Sequence, residues 1–152
     1  MLYGVYCLLR MQAAGQVTVP LSVTEQPVYD LRILNHWDNP DGTVERGYAG
    51  RSLWNWEELP GTLSPRYEAY TRANASVGIN GTVLNNVNAS PQVLATSSLE
   101  KVKALADVFR PYGIKVYLSV NFASPIQLGK LDTADPLDKE VIRWWRRKVK
   151  EI

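Results

Sequence analysis

Three short apolar runs, at residues 31–35, 81–84 and 114–120, each lead through a polar loop into a stretch of helical periodicity. This succession constrains the fold more than any other feature. Consecutive β/α units joined by right-handed crossovers lay their strands side by side and parallel, so every exit loop falls on one edge of the sheet. The expected class is α/β. The first exit loop, ILNHWDNPDGTVERGYAG at 33–50, is long and holds one His, one Trp, amides and carboxylates. That edge is where barrels and open α/β sheets place their ligands.

Local signals punctuate the helices. Ser64 and Pro65 predict an N-cap with proline at the first helical position, and the helix RYEAYTRANASV closes at Gly78. Ser97 and Glu100 predict a capping box for LEKVKALADVFRPY, with Leu99, Val102, Leu105, Ala106 and Phe109 on one face, Pro111 in the last turn and Gly113 beyond it. The third strand, 114–120, exits through Asn121-Phe122-Ala123-Ser124-Pro125, and Asp135-Pro136 is expected to start the last helix. Its inward stripe is expected at Ile142, Trp145, Val149 and Ile152. No Gly, Asn or Pro stop signal follows that stripe, so the chain is expected to be part of a larger protein.

Residues 1–16, MLYGVYCLLRMQAAGQ, lack a basic leading segment, and Arg10 interrupts their apolar run, which favours an amphipathic helix over a signal peptide. A polar, proline-bounded connector at 17–27 follows. The expected division is therefore 1–27 as a lead-in and 28–152 as the β/α part.

With 45% apolar and 21% charged residues among 152, the composition is that of a globular domain with a real core. The net charge of +2 argues against a nucleic-acid or membrane partner, and no run approaches the roughly 20 apolar residues of a membrane-spanning helix. A single cysteine, Cys7, forms no internal disulfide, and a single histidine, His36, completes no standard zinc constellation. Neither metal nor cofactor is implied. The sequons at 74–76, 80–82 and 88–90 carry little weight, since such triplets recur by chance. The stretch RWWRRKVK at 143–150 interleaves cations with aromatics, yet at helical spacing its cations form a solvated outer face.

The candidate chemistry sits at the strand exits. His36 and Trp37 follow the first strand directly, so one side chain points into the opening at the sheet edge and the other away. An aromatic platform with polar neighbours suits a sugar ring. Equally, Trp37 could plug the opening while His36 is a satisfied structural histidine. Asp38, Asp41 and Glu45 are the carboxylates grouped there, and glycosidic hydrolysis requires a carboxyl pair, although turn and backbone bonding is the favoured role for both aspartates. Glu45-Arg46 could be an internal ion pair or could set a cation beside an acidic ligand. Asn85, Asn86, Asn88 and Asn121, with Ser124, supply amides that donate and accept but offer no acid, base or nucleophile. They suit a polyhydroxylated ligand, or alternatively turns and caps.

Taken together, RILNHWDNPDGTVERGYAGRSLW, ASVGINGTVLNNVNA, LADVFRPYGIKVYLSVNFASP and TADPLD closely resemble the central catalytic domain of the family 67 α-glucuronidases, in order and over nearly the whole chain. The resemblance implies the first three β/α units of a (β/α)8 TIM barrel, preceded by a helix from the end of an N-terminal domain. It implies hydrolysis, with inversion, of the α-1,2 bond joining glucuronic or 4-O-methyl-glucuronic acid to xylose in xylo-oligosaccharides. Inversion needs a general acid and a general base about 6.5–9.5 Å apart. In the family both lie on later strands, so they are expected beyond Ile152 and this chain alone is expected to be inactive. By motif position Trp37 matches a Trp of the uronic acid pocket and Val87 an apolar residue near the 4-O-methyl group; Asn86, Asn121, Glu45 and His36 are placed there by position alone. A homodimeric parent is one assembly the resemblance allows. The competing class is a non-catalytic carbohydrate-binding or partner-binding module.

Overall fold

The computed structural model describes residues 2–17, 22–88 and 90–152. Part of the expected connector, 18–21, and the middle of the third sequon, Ala89, lie outside them. The elements run α1 (Leu2–Ala13), β1 (Ile33–Asn35), α2 (Pro65–Ser76), β2 (Gly81–Val83), α3 (Thr96–Phe109), β3 (Lys115–Tyr117), α4 (Ser124–Gln127) and α5 (Lys139–Glu151). The three strands form one parallel sheet in the order β1-β2-β3, with Ile33, Gly81 and Lys115 in register. The arrangement is α/β and compatible with part of a barrel.

Helices α2 and α3 pack beside each other, and their inward residues Tyr67, Ala75, Val102, Leu105 and Phe109 close over Leu84 and Ile114. Trp54, Trp56 and Leu59, all from the long loop after β1, complete this core. The loop is thus half structural: Trp54 is 1% exposed and packs tilted against both Tyr67 and Phe109. A smaller core joins Val93, Leu94 and Trp144, with Leu118, Val120, Leu128, Leu131 and Trp145 around it.

The first helix signals act as the sequence predicts. The Ser64 hydroxyl accepts from Arg66 N, Pro65 occupies the first helical position, and Gly78 and Gly113 adopt left-handed φ of 85° and 72°. Gly81 is fixed for a different reason. A Cβ there would lie 2.9 Å from both Ile33 Cγ1 and Tyr117 Cε2, the side chains of the two flanking strands.

Four local expectations are corrected. The capping box at Ser97 and Glu100 does not form: α3 starts two residues earlier, with Ala95 at the N-cap and no side-chain cap, because a preceding 3-10 turn at Pro91–Leu94 leads straight into it. The third strand is shorter than 114–120, since beyond Tyr117 the Asn85 amide replaces the backbone ladder. Helix α5 starts at Lys139 rather than at Asp135-Pro136. Asp138 caps it, accepting from Glu140 N at 2.7 Å and Val141 N at 3.1 Å, whereas Asp135 only closes a local turn onto Leu137 N. Its inward face is led by Val141 and Trp144, while Val149 and Ile152 are exposed. Lys148, not Val149, continues that face, with its ammonium 5.8 Å from the centroid of the Trp144 ring.

Candidate functional site at the carboxyl-terminal strand edge

Just past β1 the chain doubles back in a small ribbon. Asp38 pairs antiparallel with Val44, Asn39 N donates to Thr43 O at 2.8 Å, and Glu45 N donates to Trp37 O at 2.9 Å. Pro40 presets the turn, Gly42 takes a φ of 82°, and Gly42 N closes onto Asn39 O. Asp41 belongs to this turn: its Oδ1 accepts from Thr43 N and Thr43 Oγ1, and these bonds, the hydroxyl's first, hold its carboxyl below the ordinary value.

His36 continues the sheet by donating its backbone N–H to Val83 O at 3.1 Å, and its ring turns toward the helices. There Nε2 lies 2.6 Å from the Tyr70 hydroxyl, which in turn lies 3.2 Å from Thr82 Oγ1. The ring packs against Trp54 and edge-on to Tyr70. On its other side Nδ1 is 3.6 Å from Asp38 Oδ1. Asp38 is 4% exposed, and its Oδ2 accepts from Ser52 Oγ at 2.7 Å and Leu53 N at 2.8 Å. Burial alone would raise this carboxyl, yet the bonds with His36, Ser52 and Leu53 together hold it below the ordinary carboxylate value. Tyr70, by contrast, is raised above 10.0, mainly by burial, against the lowering effect of its Thr82 bond.

The period of two then sends Trp37 to the other side of the strand, where it is 37% exposed. The second exit loop meets it through the backbone, as Asn86 N donates to Asp38 O at 2.8 Å. Two of that loop's three amides, Asn85 and Asn86, are buried and engaged. Asn85 donates to Ser119 O and accepts from Ser119 N, both at 2.9 Å, which ties β2's exit to β3's. Asn86 donates to Glu45 O at 3.1 Å and accepts from Asn88 N. Val87, directly after it, is 47% exposed. In the third loop Asn121 Oδ1 accepts from Ala123 N, and its carbonyl accepts from Ser124 N and Oγ at the start of α4.

Glu45 is the anomaly. It is a non-glycine residue at a φ of 60°, a conformation costing about 1–3 kcal/mol. Its carbonyl receives two amides, Asn39 Nδ2 at 2.8 Å and Asn86 Nδ2. Its Oε1 accepts from the hydroxyl of exposed Tyr48 at 2.9 Å, and this bond raises the Tyr48 phenol above its usual value. Its Oε2 is buried without a hydrogen-bond partner. Arg46 forms no ion pair with it among the described residues.

The structure therefore brings His36, Trp37, Glu45, Asn86 and Val87 to one strand edge, with Asn121 on the third exit of that edge. Trp37 and Val87 stand partly open, whereas His36 and Asn86 are bonded internally behind them. Sequence reasoning missed Tyr70, Thr82 and Ser52, the partners that fix His36 and Asp38. The helical spacing of Tyr67, Tyr70 and Thr71 was a signal for Tyr70 alone; Thr82 and Ser52 carried none. Among the described residues no group of three His, Cys, Asp or Glu could hold a metal, and no helix is long and apolar enough to cross a membrane.

A family model described as glycosyl hydrolase family 67 middle domain matches residues 11–152. A protein named probable alpha-glucuronidase A from Neosartorya fischeri is 48% identical over 145 residues, covering 95% of this chain and 17% of that protein. Its namesake from Aspergillus clavatus is 46% identical with the same coverage, and alpha-glucuronidase A from Emericella nidulans is 42% identical over 156 residues, covering 99% of this chain and 18% of that protein. The chain thus spans less than a fifth of the length of these curated relatives. The α/β sheet and these matches together place the chain among the families of glycoside hydrolases. The chain belongs to glycosyl hydrolase family 67, matching its middle domain.

Proposed function

We propose that this chain forms one wall of an α-glucuronidase active site that hydrolyses, with inversion, the α-1,2 bond between 4-O-methyl-glucuronic or glucuronic acid and xylose in xylo-oligosaccharides, in the breakdown of xylan. The observation that carries this is the pair Trp37 and Val87, apolar and half-open on the strand edge of a family 67 chain. Trp37 offers its ring face to the C–H face of a pyranose, and Val87 gives a methyl ether an apolar wall while leaving a bare hydroxyl no partner. His36, Asn86 and Asn121 hold the wall in place, since their side chains bond within the protein.

The acid and base are assigned to later strands of a (β/α)8 barrel. Asp38 is buried, and its contacts with His36, Ser52 and Leu53 favour the ionised form over a proton donor and engage its oxygens, while Asp41 is committed to Thr43. The first units of that barrel are then β1-α2, β2-α3 and β3-α5, with α1 inside a lead-in at 1–27 and the barrel part at 28–152.

The test is an NMR titration of the protein with 4-O-methyl-glucuronic acid. Shifts centred on the Trp37 indole and the Val87 methyls are expected, absent with xylose and lost in Trp37→Ala, with no release of the acid from aldouronic substrates by the 152-residue chain. Equal shifts with xylose, or shifts unchanged in Trp37→Ala, would sink the reading. Release of the acid by this chain would return the acid and base to Asp38, Asp41 and Glu45.

A further inference from the structure

Charge is unevenly spread along this chain. Helix α5, KEVIRWWRRKVKE, holds six basic and two acidic residues, so it carries +4 where the whole chain carries +2 and the remainder is net −2. Lys139, Arg143, Arg146 and Lys150 recur at helical spacing, and all four are exposed on the side of α5 away from buried Val141 and Trp144. At 1.5 Å per residue they line a stripe about 16 Å long. Helix stability does not call for it. Like charges three or four residues apart weaken a helix, and Lys139 at the first helical position opposes the helix dipole. The two acids relieve only part of this, Glu140 pairing with Arg143 at 2.9 Å and Glu151 with Lys148. Among the described residues Lys139, Arg146 and Lys150 form no ion pair.

The inward face of α5 seats this stripe beside the candidate site. Trp144 shares a core with Val93 and Leu94, and Leu118 and Val120, just beyond β3, pack on that core. Phe122 of the third exit loop is 77% exposed and meets Trp145 edge-on, so an open aromatic stands at the flank of the helix. We propose that the outer face of α5, with Phe122, is a second carbohydrate-binding surface, separate from the Trp37 and Val87 wall, that takes an acidic xylan segment. The carboxylates of its uronic acid branches meet Lys139, Arg146 and Lys150, and a sugar ring lays its C–H face on Phe122. The choice of xylan rests on the substrate reading given above. Charge complementarity favours it over nucleic acid: duplex DNA carries a charge about every 1.7 Å and would run past the stripe over a net negative remainder. Acidic xylan instead bears scattered carboxylates on a neutral backbone. A surface of this kind gathers substrate next to the strand edge where it is used.

The experiment is calorimetric titration of the protein with soluble 4-O-methyl-glucuronoxylan and with the same xylan after chemical reduction of its carboxyl groups, which keeps the backbone and removes the charge. Both are run in a Trp37→Ala background so that the wall does not contribute. The acidic xylan is expected to bind about tenfold more tightly than the reduced one, the scale of a few exposed ion pairs acting together, and the difference should shrink as salt is raised to about 1 M. Adding Lys139→Gln, Arg146→Gln and Lys150→Gln should bring the acidic xylan down to the affinity of the reduced one. Equal affinity for the two xylans, a triple substitution without effect, or tighter binding of duplex DNA than of glucuronoxylan overturns the proposal. If the triple substitution abolishes the native circular dichroism, Phe122→Ala decides instead: a severalfold loss for the acidic xylan supports the surface, and an unchanged affinity overturns it. Failure of the wild type to show shifts at Trp37 with 4-O-methyl-glucuronic acid sinks the wall alone, a result distinct from loss of polymer binding at α5.

Discussion

Replacing Asp38 tests whether the site is held by a buried charge or merely by shape. Its Oδ2 accepts from Ser52 Oγ at 2.7 Å and Leu53 N at 2.8 Å, in a residue 4% exposed. A hydrogen bond to a charged group contributes about 1.5–3 kcal/mol, so Asp38→Ala, which leaves both donors without an acceptor, should cost about 3–6 kcal/mol. Asp38→Asn keeps a carbonyl oxygen for both donors and loses only the ionic reinforcement, which should cost about 1–2 kcal/mol. Against a typical domain stability of about 5–15 kcal/mol, the first variant is marginal and the second folded. Urea unfolding followed by the fluorescence of the five tryptophans measures both.

The pH dependence separates charge from shape. Because the native Asp38 carboxyl titrates below the unfolded value of 3.8, its contribution is fully present above that value and is lost as pH falls through the lower native one. The stability gap between wild type and Asp38→Asn should therefore be flat from neutral pH down to about 4 and close below it. A gap that widens in acid, or an alanine variant costing under about 1 kcal/mol, would refute the reasoning.

Two further outcomes follow from close contacts. Asn85→Ala should destabilise by about 2–3 kcal/mol, because Ser119 loses a partner for both its N–H and its C=O, and Asn85→Asp should be no better, since a carboxylate repels the Ser119 carbonyl; urea unfolding of the pair checks this. Gly129→Ala should cost about 2–3 kcal/mol and alter the near-UV circular dichroism of Trp144, since the new Cβ would lie 2.5 Å from Pro125 O and 2.6 Å from Trp144 Cδ1.

The sequence by itself determined the three strands, their order of appearance and the helix ends set within one turn. Ser64, Pro65, Gly78 and Gly113 act through neighbours a few residues away, and such signals survive without tertiary context. The strand-exit positions of Trp37 and Val87 were legible for a similar reason, as both fall within a few residues of a strand end. Tertiary packing decided the rest. Asp135 and Asp138 are both able to cap a helix, and the packing of Trp144 in one core with Val93 and Leu94 fixes which one starts α5 and which face it buries. The direction of the His36 ring likewise depends on Tyr70, 34 residues away, and the roles of Asn85 and Asn86 depend on Ser119 and Glu45. A polar side chain near a strand exit has several partners of similar energy within reach, and only the assembled backbone fixes which of them stand at hydrogen-bonding distance.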